Sequence, residues 1–184
     1  MNSTSWELLG DYLRETKLLG SIQSTLYWDQ NTSMPSKGSS WRGEQLSFLA
    51  KTIHTRQSCE YFGSLLSEAK AEFKQNCISK NFSKIEISER SRNIALLEQD
   101  FNRQKSLDSD LVVHLAIAKS DGYNHWQEAK SKANFKHFAP YLKKLIALRQ
   151  EEARQLSEPR SCWETLAQPY EPDLTIIRLK ELFT

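Results

Sequence analysis

The sequence predicts an all-α protein, and three observations carry that prediction. Apolar residues recur at helical spacing along most of the chain, and no useful stretch alternates as a strand would. Glycines and prolines are few, six and five, and they gather at plausible breaks. A length of 184 residues suits one helical region over 1–184. Within it we expect a helical hairpin over about 4–75, a linker over about 76–88 and further helices over about 89–184.

Trp6, Leu9, Leu13, Ile22 and Leu26 mark a first helix from about Thr4 to Thr32. The stretch Met34 to Ser40 breaks it, because Pro35 disfavours helix at the residue before it. Ser39 or Ser40 then caps a second long helix, with Leu46, Leu49 and Ile53 early and Phe62, Leu65, Ala69 and Phe73 late. The polar, Ser-rich segment from Asn76 to Ser88 reads as a connection. A third helix presents Ile94, Leu97 and Phe101 on one face. Asp108 is placed at the N-cap of a fourth, whose inward positions are Leu111, Leu115, Ala118, Gly122, Trp126, Ala129 and Ala133. Phe138, Tyr141, Leu145, Leu148 and Leu156 belong to a fifth, and Thr175 caps a last helix. Gly43, inside the second helix, points to close packing. The five tryptophans (6, 28, 41, 126 and 163) are assigned to core and helix contacts rather than to a stacking platform.

Composition excludes several function classes. The formal net charge is +2 and lysines are interleaved with acids, so no one-sided nucleic-acid patch is expected. Even the densest basic stretch, Lys130 to Lys144, is flanked by Glu128, Glu151 and Glu152. Apolar runs are too short for a membrane span, and the first residues lack the pattern of a secretory signal. Cys59, Cys77 and Cys162 form no CxxC and suggest no disulfide scaffold, which fits a cytoplasmic location.

The search for chemistry is brief. His54, His114, His125 and His137 are read as offering neither two histidines four apart on a helix nor a glutamate three residues after a histidine, so their spacing predicts no metal ligands in this chain. There is no G-x-S-x-G and no phosphate-binding glycine loop, and no catalytic residue is assigned.

One stretch is more specific than composition. Trp28-Asp29-Gln30-Asn31-Thr32-Ser33-Met34-Pro35 resembles the W-D-x-x-T-x-M-P signature of the carboxypeptidase Taq family. The likeness runs on through Gly38, Arg42, Glu44, Gln45, Leu46, Leu49 and His54, with departures at Lys37, Ser39 and Gly43. Further on, Ser120, Trp126, Ala129, Phe135, Phe138 and Pro140 match a second family pattern, while Gly122, Lys130 and Asn134 stand for its Ala, Arg and Asp. Arg149 to Ala153 resembles the family's R-E-E-A, and Tyr170-Glu171-Pro172-Asp173 resembles Y-E-P-G.

The resemblance implies a metallocarboxypeptidase fold related to neurolysin and angiotensin-converting enzyme. It implies zinc or another divalent metal, held in the full-length enzyme by an H-E-x-x-H helix, and a peptide substrate whose carboxy-terminal residues are removed. The matched region would be the amino-terminal wall of the substrate groove and inactive alone. A homodimer, or the missing carboxy-terminal part, is its expected partner; a free-standing interaction module and one half of a split enzyme are the alternatives. Trp28, Asp29, Thr32, Met34, Pro35, Arg42, Glu44, Gln45, Trp126, Tyr170, Glu171 and Pro172 are read as signature residues with structural roles, Trp28 packed near the first turn.

Overall fold

The computed structural model describes residues 4–79, 82–156 and 159–183. Helices α1 (Ser5–Thr32), α2 (Ser39–Ser58), α3 (Glu60–Ile78), α4 (Lys84–Lys105), α5 (Ser109–Ser131), α6 (Phe135–Gln155), α7 (Cys162–Ala167) and α8 (Ile176–Phe183) follow in order, with a 3₁₀ turn at Ser36–Gly38. No strand occurs among the described residues. The protein is all-α, as the periodicity predicts. None of these helices is long and apolar enough to cross a membrane.

Hydrogen-bonded pairs give the register of the first layer. Asp29 meets Arg42, Gln23 meets Leu46, Tyr12 meets Arg56 and Ser5 meets Glu72. One number rises as the other falls, so α1 lies antiparallel to α2 and α3 together. Helix α4 returns along α3, with Lys70 paired to Glu98, and α5 packs across α2 with α6 behind it. Leu9, Phe62, Leu65, Leu66 and Ala69 form the main core, closed by Trp6, Tyr12, Leu97 and Phe101.

Helix starts follow local chemistry. Thr4, Ser83 and Ser161 each accept a hydrogen bond from the backbone N–H of a glutamate three residues on, and that glutamate bonds back to the cap. Such reciprocal boxes satisfy donors that a helix end leaves orphaned. Thr175 caps α8 by accepting from Arg178 N–H at 3.2 Å, as expected.

Several expectations are corrected. Residues 39–73 are not one helix: Cys59 is extended (φ −72°, ψ 156°) and separates α2 from α3. The Arg56 carbonyl, which helix continuation would have engaged, accepts the Tyr12 hydroxyl at 2.9 Å. Meanwhile the Arg56 guanidinium lies 4.0 Å over the Tyr12 ring and bonds Thr16 and Glu15. The side chain of α1 thus supplants the helix ladder. Ser39 and Ser40 lie inside α2, whose cap position is Gly38. The connection expected over 76–88 is shorter, since α3 reaches Ile78 and α4 starts at Lys84; residues 80 and 81 lie outside the described ones.

Asp108 occupies the N-cap of α5, but its carboxylate makes no cap bond and instead accepts from Gln155 at 3.0 Å. Ala133 lies beyond α5 with φ 49° rather than on its inward face. Ile22 is exposed, as are Trp126 and Trp163, and Trp28 and Trp41 are 64% and 65% exposed. Of the five tryptophans only Trp6 packs against the main core. An indole serves the core only where another layer covers it, and among the described residues none buries these four.

Candidate functional site

The signature residues converge partly, at the turn between α1 and α2. Asp29 and Arg42 approach because the Ser33–Gly38 connection brings the end of α1 beside the first turn of α2. Arg42, only 11% exposed at its side chain, donates to Asp29 Oδ2 at 2.6 Å, to Gln45 Oε1 at 3.0 Å and to the Leu26 carbonyl. A guanidinium fork can satisfy three acceptors at once, which a lysine could not match geometrically. The Asp29 carbonyl accepts from Ser33 and Met34 N–H at 2.9 Å each, and Thr32 Oγ1 donates to the Trp28 carbonyl at 2.8 Å. Pro35 precedes the 3₁₀ turn, and Met34 is half-buried against Gly38. Glu44 is exposed.

One turn back, buried Gln30 donates to Ser120 Oγ at 3.0 Å and ties α1 to α5. His54, also buried, places Nε2 3.0 Å from the Gln104 carbonyl.

Trp126, Tyr170, Glu171 and Pro172 are not brought to this turn. Trp126 lies on α5 beside Tyr123, with Lys130 over its ring. Tyr170 is 79% exposed. The turn that carries Tyr170, Glu171 and Pro172 is bracketed by Gln168, which donates to the Glu164 and Leu174 carbonyls and accepts from Asp173 N–H. Asp173 sits at φ 65°, a left-handed conformation that favours glycine, and this is the position of the Gly in Y-E-P-G. The Ile176 N–H, then Ser161, hold the Glu164 carboxyl below the usual carboxylate range. Glu164 therefore joins α7 to the start of α8.

A second cluster escaped the histidine spacing. His125 and Glu128 lie three apart near the end of α5, and His137 is in the first turn of α6. His125 Nδ1 is 3.1 Å from His137 Nε2, which is 3.1 Å from Glu128 Oε2. The three ligand atoms all lie within 4.8 Å of one another. Lys132, then His137, hold the Glu128 carboxyl below its ordinary range. A signal was present: a carboxylate three residues after a histidine shares its helix face. His137 is joined to that pair only by the turn at Ala133.

Comparison with known proteins agrees with the signature. The model of the carboxypeptidase Taq (M32) metallopeptidase family matches residues 8–184. The thermostable carboxypeptidase 1 of Thermus thermophilus is 28% identical over 188 aligned positions, which cover 97% of this chain and 35% of that protein. The crystal structure of BsuCP superposes with a TM-score of 0.84 at 22% identity, covering 97% of this chain and 34% of that one. Trypanosoma cruzi metallocarboxypeptidase 1 gives 0.69 at 24% identity with the same coverage. The chain spans about a third of the length of the curated relatives it matches. Sequence signature, family match and helical arrangement coincide over nearly every residue, and the chain belongs to the carboxypeptidase Taq (M32) metallopeptidase family.

Proposed function

We propose that this chain supplies the amino-terminal wall of the substrate groove in a metal-dependent carboxypeptidase that removes residues from peptide carboxyl ends. The observation that carries the reading is the family match over residues 8–184 in a chain one-third the length of its relatives. No H-E-x-x-H occurs among the 184 residues, so the motif that would hold the family's zinc or other divalent ion is not in this chain. The role left to these helices is to shape and enclose the groove.

The Asp29–Arg42–Gln45 cluster fixes the angle between α1 and α2, and Gln30 with Ser120 sets α5 against them. On this reading the exposed faces of Trp28, Trp41 and Phe48 are covered by the rest of the enzyme. Those same faces support the second reading, a helical module that docks on a partner protein.

A carboxypeptidase assay on blocked dipeptides, with and without added zinc, tests the first reading. The chain alone should release no terminal amino acid. Zinc-dependent release would overturn it.

A further inference from the structure

We propose that His125, Glu128 and His137 form a binding site for a divalent transition-metal ion of the zinc class, which clamps the junction between α5 and α6. The inference rests on these two helices alone and does not depend on peptidase activity.

The donor set comes first. Two imidazole nitrogens and one carboxylate oxygen suit zinc, with bonds of about 2.0–2.2 Å. At such bond lengths tetrahedral geometry spaces neighbouring donors roughly 3.3–3.5 Å apart. The two contacts here, His125 Nδ1 to His137 Nε2 and His137 Nε2 to Glu128 Oε2, are both 3.1 Å. An ion entering at these two contacts needs shifts of only a few tenths of an ångström, and the third pair of donors already lies within 4.8 Å. With no thiolate in the set, zinc, nickel or copper(II) fit and copper(I) does not.

Hydrogen-bond accounting points the same way. His137 Nε2 faces both a ring nitrogen and a carboxylate oxygen. In its neutral form that atom carries at most one proton to share between two acceptors. A cation takes a lone pair from all three atoms at once.

The surroundings hold the donors in place. The Tyr141 ring stacks on His125 with centroids 3.6 Å apart and planes 15° from parallel. Lys132 Nζ engages Glu128 Oε1 at 2.6 Å and leaves Oε2 facing the histidines. Such partners orient ligands and tune affinity. The intervening turn is built for close return. Asn134 N–H donates to the Ala129 carbonyl at 2.8 Å and Ala133 N–H to the Lys130 carbonyl at 3.3 Å, with Ala133 at φ 49°. This is a Schellman closure with alanine where glycine is usual. It sets His137 in the first turn of α6, opposite the last turns of α5. Glu128 is exposed and both histidines are half-buried, so an ion can enter from solvent and keep water in its remaining position.

The test is zinc titration of the metal-stripped chain by calorimetry, with a cobalt(II) absorption spectrum and a thermal melt alongside. We expect one ion per chain, a cobalt spectrum without thiolate charge transfer, and a melting midpoint raised by zinc. His137→Ala and Glu128→Gln should each weaken zinc binding about tenfold or more and abolish the rise in melting midpoint. Glu128→Gln is an exposed, isosteric change and decides the matter if His137→Ala fails to fold. Absence of saturable zinc binding, affinity unchanged in Glu128→Gln, or a cobalt spectrum showing thiolate ligation from the cysteines would each overturn the proposal.

Discussion

Tyr12 joins three functions in one side chain. Its ring stacks on Phe62 with centroids 5.6 Å apart, its hydroxyl donates to the Arg56 carbonyl, and it lies 3.4 Å from Cys59 Sγ. Burial, then the hydrogen bond to Cys59, pushes its pKa up from 10.0 to about 12. The folded state therefore holds this proton where the unfolded chain has released it. Stability from the neutral phenol is full below about pH 10 and is lost as pH rises from about 10 to about 12. Denaturant melts at pH 9 and pH 11 should show that loss, and Tyr12→Phe should lessen it. Tyr12→Phe should also cost about 1 kcal/mol at neutral pH for the lost hydrogen bond. An identical alkaline decline in both proteins would contradict this account. Trp28 gives the opposite lesson, since an indole 64% exposed has little packing to lose. Trp28→Ala should cost well under 1 kcal/mol in this chain, and a loss near 3 kcal/mol would mean the ring is buried in solution.

Glycines separate the helices by how closely each is approached. A Cβ at Gly63 of α3 would meet Phe101 Cζ at 2.8 Å, inside contact distance. Gly63→Ala should therefore destabilise by about 1–3 kcal/mol through overpacking. At Gly43 of α2 the nearest atom is Ser120 Oγ at 3.9 Å, an ordinary contact. Gly43→Ala should stabilise by about 0.5–1 kcal/mol by removing backbone freedom from the unfolded chain. Thermal melts of the two variants should shift in opposite directions. A shift in the same direction would show that helix propensity, not the neighbouring ring, governs both sites. Helix starts were more legible than helix ends. Ser83 and Glu86 form a capping box inside a segment that reads as linker, because its polar composition masked a start signal that was present. The break at Cys59 had no such signal, being neither glycine nor proline; Tyr12 and Arg56 impose it from another helix and a preceding turn.

Across the whole molecule, large apolar side chains remain on the outside. Leu18 and Ile22 on α1, Trp41 and Phe48 on α2, and Ile177, Leu182 and Phe183 on α8 are all exposed, and α8 buries no residue. Spacings of four and seven residues put the α1 pair and the α2 pair each on one helix face, while the three α8 side chains spread around theirs. Exposed apolar surface of this kind tends to mark an interface. We expect the chain to self-associate at micromolar concentration, most simply as a symmetric pair, and to bind a hydrophobic dye. Light scattering that shows a strict monomer, with no dye binding, would refute this expectation.

What the sequence by itself determined was local or strongly motif-bound. Periodicity gave the all-α class, and the run Trp28 to Pro35 with Arg42, Glu44 and Gln45 identified the family. Helix period and capping depend on residues within four positions of one another, so they are written along the chain. Tertiary structure decided which of those residues meet. It left Trp28 and Tyr170 at the surface while Asp29 found Arg42, and it broke a helix at Cys59. It also set His137 against His125 and Glu128 across a turn whose residue at φ 49° is an alanine. The reason is physical: approach across helices depends on crossing geometry and turn conformation, and neither is encoded in the spacing of the residues that finally touch.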